Sequence, residues 1–259
     1  MTFCLGLKCA DGLLALADTR LTSGTEISQA PKIAIHDIDG HPLFILTSGL
    51  RSLRDKAITY FANDVSDPGY HLTRTYEATN ALARQLRQVR IEDSQWLSNS
   101  GLQFDLHCIV GGRLENDSRP QMFLVFPEGN WVEVNAATPY AIIGDNRYAK
   151  PILDQIWKFE KTLDEALLAG LLAFTQTKAS ASNVDFPLDV VLLDNNGTEI
   201  DEVRVTAQEG TELEREWRHA IETAAHSVQH HTERIFQRLK GAPQQPQPLV
   251  EQQAAQQQQ

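Results

Sequence analysis

The sequence of 259 residues has little of what disulfide, metal and nucleic-acid chemistries require. Cys4, Cys9 and Cys108 are odd in number and follow no metal-ligand spacing, which argues for reduced thiols in a reducing compartment. Lysines and arginines form no cluster or stripe, and the net charge is −11. That balance argues against a nucleic-acid or anionic-membrane surface. No apolar run approaches the roughly 18 residues of a membrane span. The amino terminus lacks the basic and apolar regions of an export signal, so the chain reads as cytoplasmic, with its own beginning as the mature one. There is no Gly-rich phosphate loop. His226 and His230 lie four apart without a carboxylate-and-base pattern beside them and read as a solvated helix face. Neither a cofactor nor a metal is implied.

What is present suits one sizeable folded domain. Hydrophobic residues make up 42% and charged residues 22%, ordinary for a chain able to bury a core. The domain is assigned to residues 1–240. After it the composition changes, because residues 241–259 hold nine Gln, three Pro and one charge, Glu251. Such a segment buries too little to order itself and reads as a disordered Gln/Pro-rich tail.

Two hairpins open the chain. Phe3, Leu5 and Leu7 alternate with Cys4, Gly6 and Lys8, a half-buried strand. Asp11-Gly12 reads as its turn and Leu13–Ala17 as the return. In that register Thr2 faces Leu21 and Asp18 faces Leu5, leaving Asp18 on the order of 10 Å from Thr2. In the second hairpin, Pro31 to His36 and Pro42 to Thr47 flank an Asp39-Gly40 turn. Lys32 then faces Thr47, at the same end as Ser48-Gly49. The hairpins therefore bring an acid, a base and a flexible backbone turn to strand ends, where sites commonly lie.

Helical periodicity takes over at Leu50, Leu53, Ala57, Tyr60 and Phe61, and Asp67-Pro68-Gly69 breaks it. A second amphipathic stretch carries Leu72, Tyr76, Leu82, Leu86 and Val89. Strands are predicted over 103–111, 121–126, 131–134 and 140–143, and helices over 147–159 and 163–177. A last hairpin, 188–193 with 199–205, closes around Asn195-Asn196-Gly197. The order of strands, two helices, strands, two helices and strands predicts paired sheets between helix layers, an α/β fold. An extended C-terminal helix follows, with Thr211 and Glu214 as a capping box and an apolar stripe from Leu213 to Leu239.

The residue pair Met1-Thr2 gives these elements a chemical meaning. Initiator methionine is usually trimmed before a small side chain. Removal leaves an α-amine and a β-hydroxyl on one residue. A hydroxyl is a poor nucleophile near neutrality unless a base takes its proton. An α-amine, with a pKa of roughly 7.7–8.0, is such a base.

Thr2 opening a strand, Gly12-Leu-Leu-Ala-Leu-Ala-Asp18-Thr19-Arg20, Pro31-Lys32-Ile33 and Thr47-Ser48-Gly49 together resemble a proteasome β-type subunit. Ile143-Gly144-Asp145-Asn146-Arg147-Tyr148-Ala149-Lys150-Pro151-Ile152-Leu153-Asp154 is similar, more narrowly, to the bacterial ancestral β-subunit family, Anbu. The resemblance runs from Thr2 to about Lys240. It implies the N-terminal-nucleophile hydrolase fold, a four-layer αββα sandwich. It also implies roles: Thr2 as nucleophile with its amine as base, Lys32 favouring the deprotonated hydroxyl, and Asp18 keeping Lys32 charged. The N–H of Gly49 would stabilise the oxyanion of a peptide or other amide substrate.

Two segments depart from the proteasome pattern. Gly144-Asp145 stands where that family has Gly-Ser near the amine, and Asp145 also reads as a helix cap. Ser182-Asn183-Val184-Asp185 stands where it has Asp-x-x-Ser, with the two residue types exchanged. A carboxylate beside the amine raises its pKa and blunts it as a base. Asp145, Ser182 and Asp185 are therefore secondary site candidates, and a second reading stands open: an assembling subunit with weak or no peptidase activity, acting as a scaffold or on a small non-peptide amide. Either way the resemblance implies self-association into a ring or an open spiral, with the helices after Gly49 and at the C-terminus as candidate contacts. An unfoldase partner leaves no mark in the sequence.

Overall fold

The computed structural model of the chain describes residues 2–23, 26–67 and 69–241. Met1, with its expected removal, Pro68 of the helix-breaking tripeptide and the Gln/Pro-rich segment from 242 onward lie outside the described residues. The chain forms two compact units, one ending at Thr211 and the other beginning at Glu212. No described helix is long and apolar enough to cross a membrane.

In chain order the strands and helices are Phe3–Cys9 (β1), Gly12–Asp18 (β2), Arg20–Ser23 (β3), Glu26–Gln29 (β4), Ile33–Ile38 (β5) and His41–Gly49 (β6). Two helices follow, Arg51–Val65 (α1) and Thr75–Asn99 (α2). Then come Leu106–Gly112 (β7), Gln121–Val125 (β8), Trp131–Val134 (β9) and Tyr140–Gly144 (β10). Helices Lys150–Ile156 (α3) and Leu163–Ser180 (α4) precede Leu188–Asp194 (β11) and Asp201–Val205 (β12). The chain ends in Ala207–Val228 (α5) and His230–Leu239 (α6).

The strands form two five-stranded antiparallel sheets, ordered β10-β1-β2-β11-β12 and β5-β6-β7-β8-β9, and a small β3-β4 pair. Three apolar clusters fix the layering. In β1 and β2, period-two alternation sends Phe3, Leu5, Leu7, Leu14 and Leu16 to one face and Cys4, Leu13, Ala15 and Ala17 to the other. The first set packs with Leu153, Ala166 and Phe174 of α3 and α4. The second meets Phe44, Leu46 and Ile109 of the other sheet. That sheet's remaining face, with Leu43, Ile45 and Val110, packs on Leu53, Phe61, Leu82 and Leu86 of α1 and α2. The result is helices, sheet, sheet, helices: the αββα sandwich of the N-terminal-nucleophile type.

The second hairpin has the register that the sequence implies. Ile33 pairs with Leu46, the Thr47 N–H donates to the Lys32 carbonyl at 3.1 Å, and Asp39 and Gly40 turn with φ of 53° and 82°. The first hairpin corrects the predicted one. Leu5 pairs with Leu16, not with Asp18, because Ala10-Asp11 makes the turn and Gly12 already pairs with Cys9. Gly12 is spent on packing: a Cβ there would lie 2.3 Å from the Leu193 carbonyl of β11. The shift carries Asp18 up beside Phe3, closer to the amino terminus than expected. The C-terminal helix starts earlier than its predicted capping box. Thr206 and Glu209 cap it reciprocally, with Thr206 N–H to Glu209 Oε2 at 2.8 Å, while the Thr211 hydroxyl bonds back to the Ala207 carbonyl inside the first turn. The same T-x-x-E spacing occurs twice, and the upstream copy follows directly on β12.

The sheet–sheet core depends on a size match. The Phe44 ring lies over Gly111, where a Cβ would come within 2.1 Å of it. Phe44→Ala should therefore cost about 3–5 kcal/mol, read as a lower urea midpoint at unchanged slope. Val203→Ala, on an exposed position of β12, should stay within about 0.5 kcal/mol.

Candidate active site

At the amino-terminal end of β1 the ends of β2 and β10 meet the residue that leads into β5. Asp18 ends β2, and its carboxylate is buried. Oδ1 accepts the Phe3 N–H at 2.8 Å and the Lys32 ammonium at 2.7 Å. Lys32, just before β5, is equally buried and donates a second bond at 2.7 Å to the Arg20 carbonyl. Burial pushes the Asp18 carboxyl up from the ordinary carboxylate range, and the Lys32 charge opposes that push. Among the described residues Asp18 Oδ2 has no hydrogen-bond partner. The half-buried Thr2 precedes Phe3, so this ion pair is anchored one residue from the hydroxyl.

Gly144 borders Thr2, and Gly49 follows Ser48, whose side chain comes up to Gly144; both positions are glycine for steric reasons. Gly49 is the exposed last residue of β6 with φ of 145°, and a Cβ there would lie 1.9 Å from the Asp105 carbonyl. Gly144, with φ of 87°, opposes Phe3 in the β10–β1 register. A Cβ on it would strike the Thr2 carbonyl at 1.9 Å and come 3.2 Å from Ser48 Oγ. Only glycine serves at these two positions, since both need left-handed backbone as well as space.

Asp145 follows Gly144, and its N–H donates to the Thr2 carbonyl at 2.8 Å. Its buried carboxylate is gripped by Arg147, with Nε 3.1 Å from Oδ1 and Nη2 2.6 Å from Oδ2. Those charged hydrogen bonds hold the Asp145 carboxyl below the usual carboxylate range. Asp185 is half-buried and joins the cluster indirectly: Oδ2 accepts Arg20 Nη1 at 3.1 Å, while the Arg20 carbonyl serves Lys32. Ser182 stands apart. It is exposed, and its hydroxyl turns to the side chain of its neighbour Asn183 at 3.4 Å.

The structure thus brings Thr2, Asp18, Lys32, Gly144 and Asp145 together at one end of the sandwich. Sequence reasoning did not single out Arg20 or Arg147 as partners. Arg147 lies two residues beyond Asp145 within the Anbu-like motif, which was the available signal. Arg20 acts through its carbonyl as much as its side chain, and nothing in a sequence marks that. Beside Lys32 opens a cavity of about 260 Å³, lined by Pro31, Ile33, Thr47, Arg54 and Asp55 among others. Among the described residues, no group of three His, Cys, Asp or Glu side chains is placed to hold a metal ion.

Known proteins are similar to this arrangement as a whole. The family model described as Proteasome subunit matches residues 2–188. Anbu from Hyphomicrobium sp. strain MC1 superposes with a TM-score of 0.78 at 26% identity, covering 86% of this chain and 96% of that one. Anbu from Yersinia bercovieri gives 0.79 at 24%, covering 86% and 95%. The helical assembly of the Anbu complex from Pseudomonas aeruginosa gives 0.80 at 24%, covering 95% and 98%. No curated protein matches the chain. With the matched model spanning most of the sequence and Anbu structures superposing over nearly all of the fold, the chain belongs to the proteasome subunit family, in its ancestral β-subunit (Anbu) branch.

Proposed function

We propose that this chain is an N-terminal-threonine hydrolase of proteasome type that cleaves peptide or other amide bonds within a self-assembled oligomer. The observation that carries the reading is the buried Lys32–Asp18 pair, anchored to the N–H of Phe3 and so held one residue from Thr2. With Met1 removed, the Thr2 hydroxyl attacks the amide carbonyl and its proton passes to the α-amine, through a water. The Lys32 charge favours the deprotonated oxygen, and Asp18 keeps Lys32 charged in a buried position. The Gly49 N–H stabilises the oxyanion. The carbon–nitrogen bond then breaks, the leaving amine takes the proton, and water hydrolyses the ester left on Thr2. Asp145 and Asp185 shape the electrostatics near the amine, and the cavity beside Lys32 accepts a substrate side chain. In this reading the folded domain spans residues 1–240, and 241–259 is a tail.

The second reading, a scaffold with weak or no peptidase activity, draws on Ser182 and Asp185. Ser182 is exposed, and Asp185 is committed to Arg20. Neither is in hand to relay a proton to the amine. Assembly is common to both readings. The Pseudomonas aeruginosa relative forms a helical assembly. Here Ile91 and Trp96 of α2 are 79% and 70% exposed, and Ile235, Phe236 and Leu239 of α6 are exposed as well. These apolar positions are the surfaces a neighbouring copy would cover.

Intact mass should show the chain without Met1, and a β-lactone should add to Thr2 in the native protein but not in Thr2→Ala. Retention of Met1, or labelling absent from the assembled native protein, overturns the hydrolase reading in favour of the scaffold. Lys32→Ala should abolish labelling and also destabilise by about 3–5 kcal/mol, because it leaves the Asp18 charge buried and unpaired. In light scattering, the double change Ile235→Glu with Leu239→Glu should lower the assembled mass without altering the circular dichroism of the subunit. An unchanged mass would remove α6 from the contact.

A further inference from the structure

Asp145 poses a chemical difficulty for an amine base. A carboxylate near a free α-amine stabilises the ammonium form and raises its pKa, leaving less base at neutral pH. The loop that carries it is fixed to the amino-terminal residue: the Asp145 N–H bonds the Thr2 carbonyl, and Gly144 packs against the same carbonyl. The carboxylate is fully covered although Gly144 before it and Asn146 and Arg147 after it are exposed. Both of its oxygens go to one guanidinium, that of Arg147, in a fork-to-fork pairing reinforced by the Arg147 N–H at 3.3 Å from Oδ1. The Arg147 side chain is 60% exposed, and its guanidinium lies over the Tyr148 ring at 5.3 Å.

The other charged groups around Thr2 have their own partners. Asp18 from β2 is matched by Lys32 ahead of β5, and Asp185, from the loop before β11, by Arg20 of β3 and Lys178 of α4. Cys4 on β1 is buried, and burial pushes its thiol well up, so it adds no charge. Tyr140, Lys150 and Asp154 form a separate group linking β10 to α3. Asp145 is the carboxylate whose backbone is bonded to Thr2, and Arg147 is the cation placed on it.

We propose that Arg147 is a positioning residue of the site: by pairing with Asp145 it cancels the field of that carboxylate at the α-amine of Thr2, keeping the amine basic enough to accept a proton yet unprotonated at neutral pH. The proposal rests on the reading of Thr2 as nucleophile but makes a separate electrostatic claim. It explains how this chain carries Asp145 where the proteasome pattern has a serine without blunting its own base.

The test uses the full chain prepared with Thr2 as its first residue. The α-amine is titrated by the pH dependence of its acylation with acetic anhydride, followed by mass spectrometry of the amino-terminal peptide. Arg147→Ala should move the midpoint to higher pH and slow acylation at neutral pH by roughly three- to tenfold, as expected for an amine pKa raised by about half a unit to one unit. Arg147→Lys should restore much of the difference, and Arg147→Gln serves as a second neutral variant should the alanine protein be unstable. The double variant Asp145→Asn with Arg147→Ala should return the midpoint to the wild-type value or below. A midpoint unmoved in both neutral variants, or a double variant shifted as far as Arg147→Ala, overturns the proposal. β-Lactone labelling of the same samples separates the two claims. Amines that shift as expected in a protein that never labels refute the hydrolase reading and leave the Arg147 assignment standing.

Discussion

The ion pair between Lys32 and Asp18 is the costly feature around which this end of the molecule is arranged. Both side chains are essentially without solvent contact. Removing two charges from water costs several kcal/mol per ion, and their attraction offsets that cost only with close geometry and further hydrogen bonds. Here the geometry is supplied from both sheets. Asp18 ends β2 of one sheet, Lys32 leads into β5 of the other, and the N–H of Phe3 and the carbonyl of Arg20 provide the additional bonds. The pair therefore acts as a tie between the sheets at the end of the sandwich where the chain begins. A hydrophobic replacement of similar volume would hold the sheets together as well or better. What such a replacement lacks is a fixed positive charge, the property that the proposed threonine nucleophile requires.

How much of this was legible follows from which interactions are local. The register of the second hairpin was readable because Asp39-Gly40 adopts the left-handed conformations of a two-residue turn and nothing crowds Gly40. The first was not, because Asp11-Gly12 looks like an equally good turn while Gly12 is required elsewhere, beneath the backbone of β11. A glycine needed for close approach and a glycine needed for a turn are the same letter. The misplaced capping box at Thr211 has a similar origin, since Thr206-x-x-Glu209 and Thr211-x-x-Glu214 satisfy the same pattern. The layered architecture survived both errors, because alternation in β1 and β2 and the helical stripes of α1 and α2 are repeated over many residues.

Within the proposed site, the residues visible in the sequence were those marked by chemical type: a hydroxyl near the terminus, an acid, a lysine and a glycine at strand ends. The residues missed act by connection. Arg20 links Lys32 to Asp185 with a carbonyl on one side and a guanidinium on the other. Arg147 is unremarkable until the carboxylate two positions before it is found buried and facing back onto it.

That difference bears on how this chain departs from the proteasome pattern. Exchanging serine for aspartate at position 145 puts a full charge where a neutral hydroxyl is expected, and a buried charge must be paired within the fold. Two other cations at this end of the sandwich have partners of their own, Lys32 with Asp18 and Arg20 with Asp185. The counter-charge comes from the same loop, where a residue two positions on returns a planar guanidinium to both carboxylate oxygens. The pairing is self-contained, and the Lys32–Asp18 tie stands beside it with its own partners. Ser182 and Asp185 fit the same logic. The loop of Asp145 holds the amino-terminal residue through its backbone, while the side chains from the loop before β11 turn to Asn183 and Arg20.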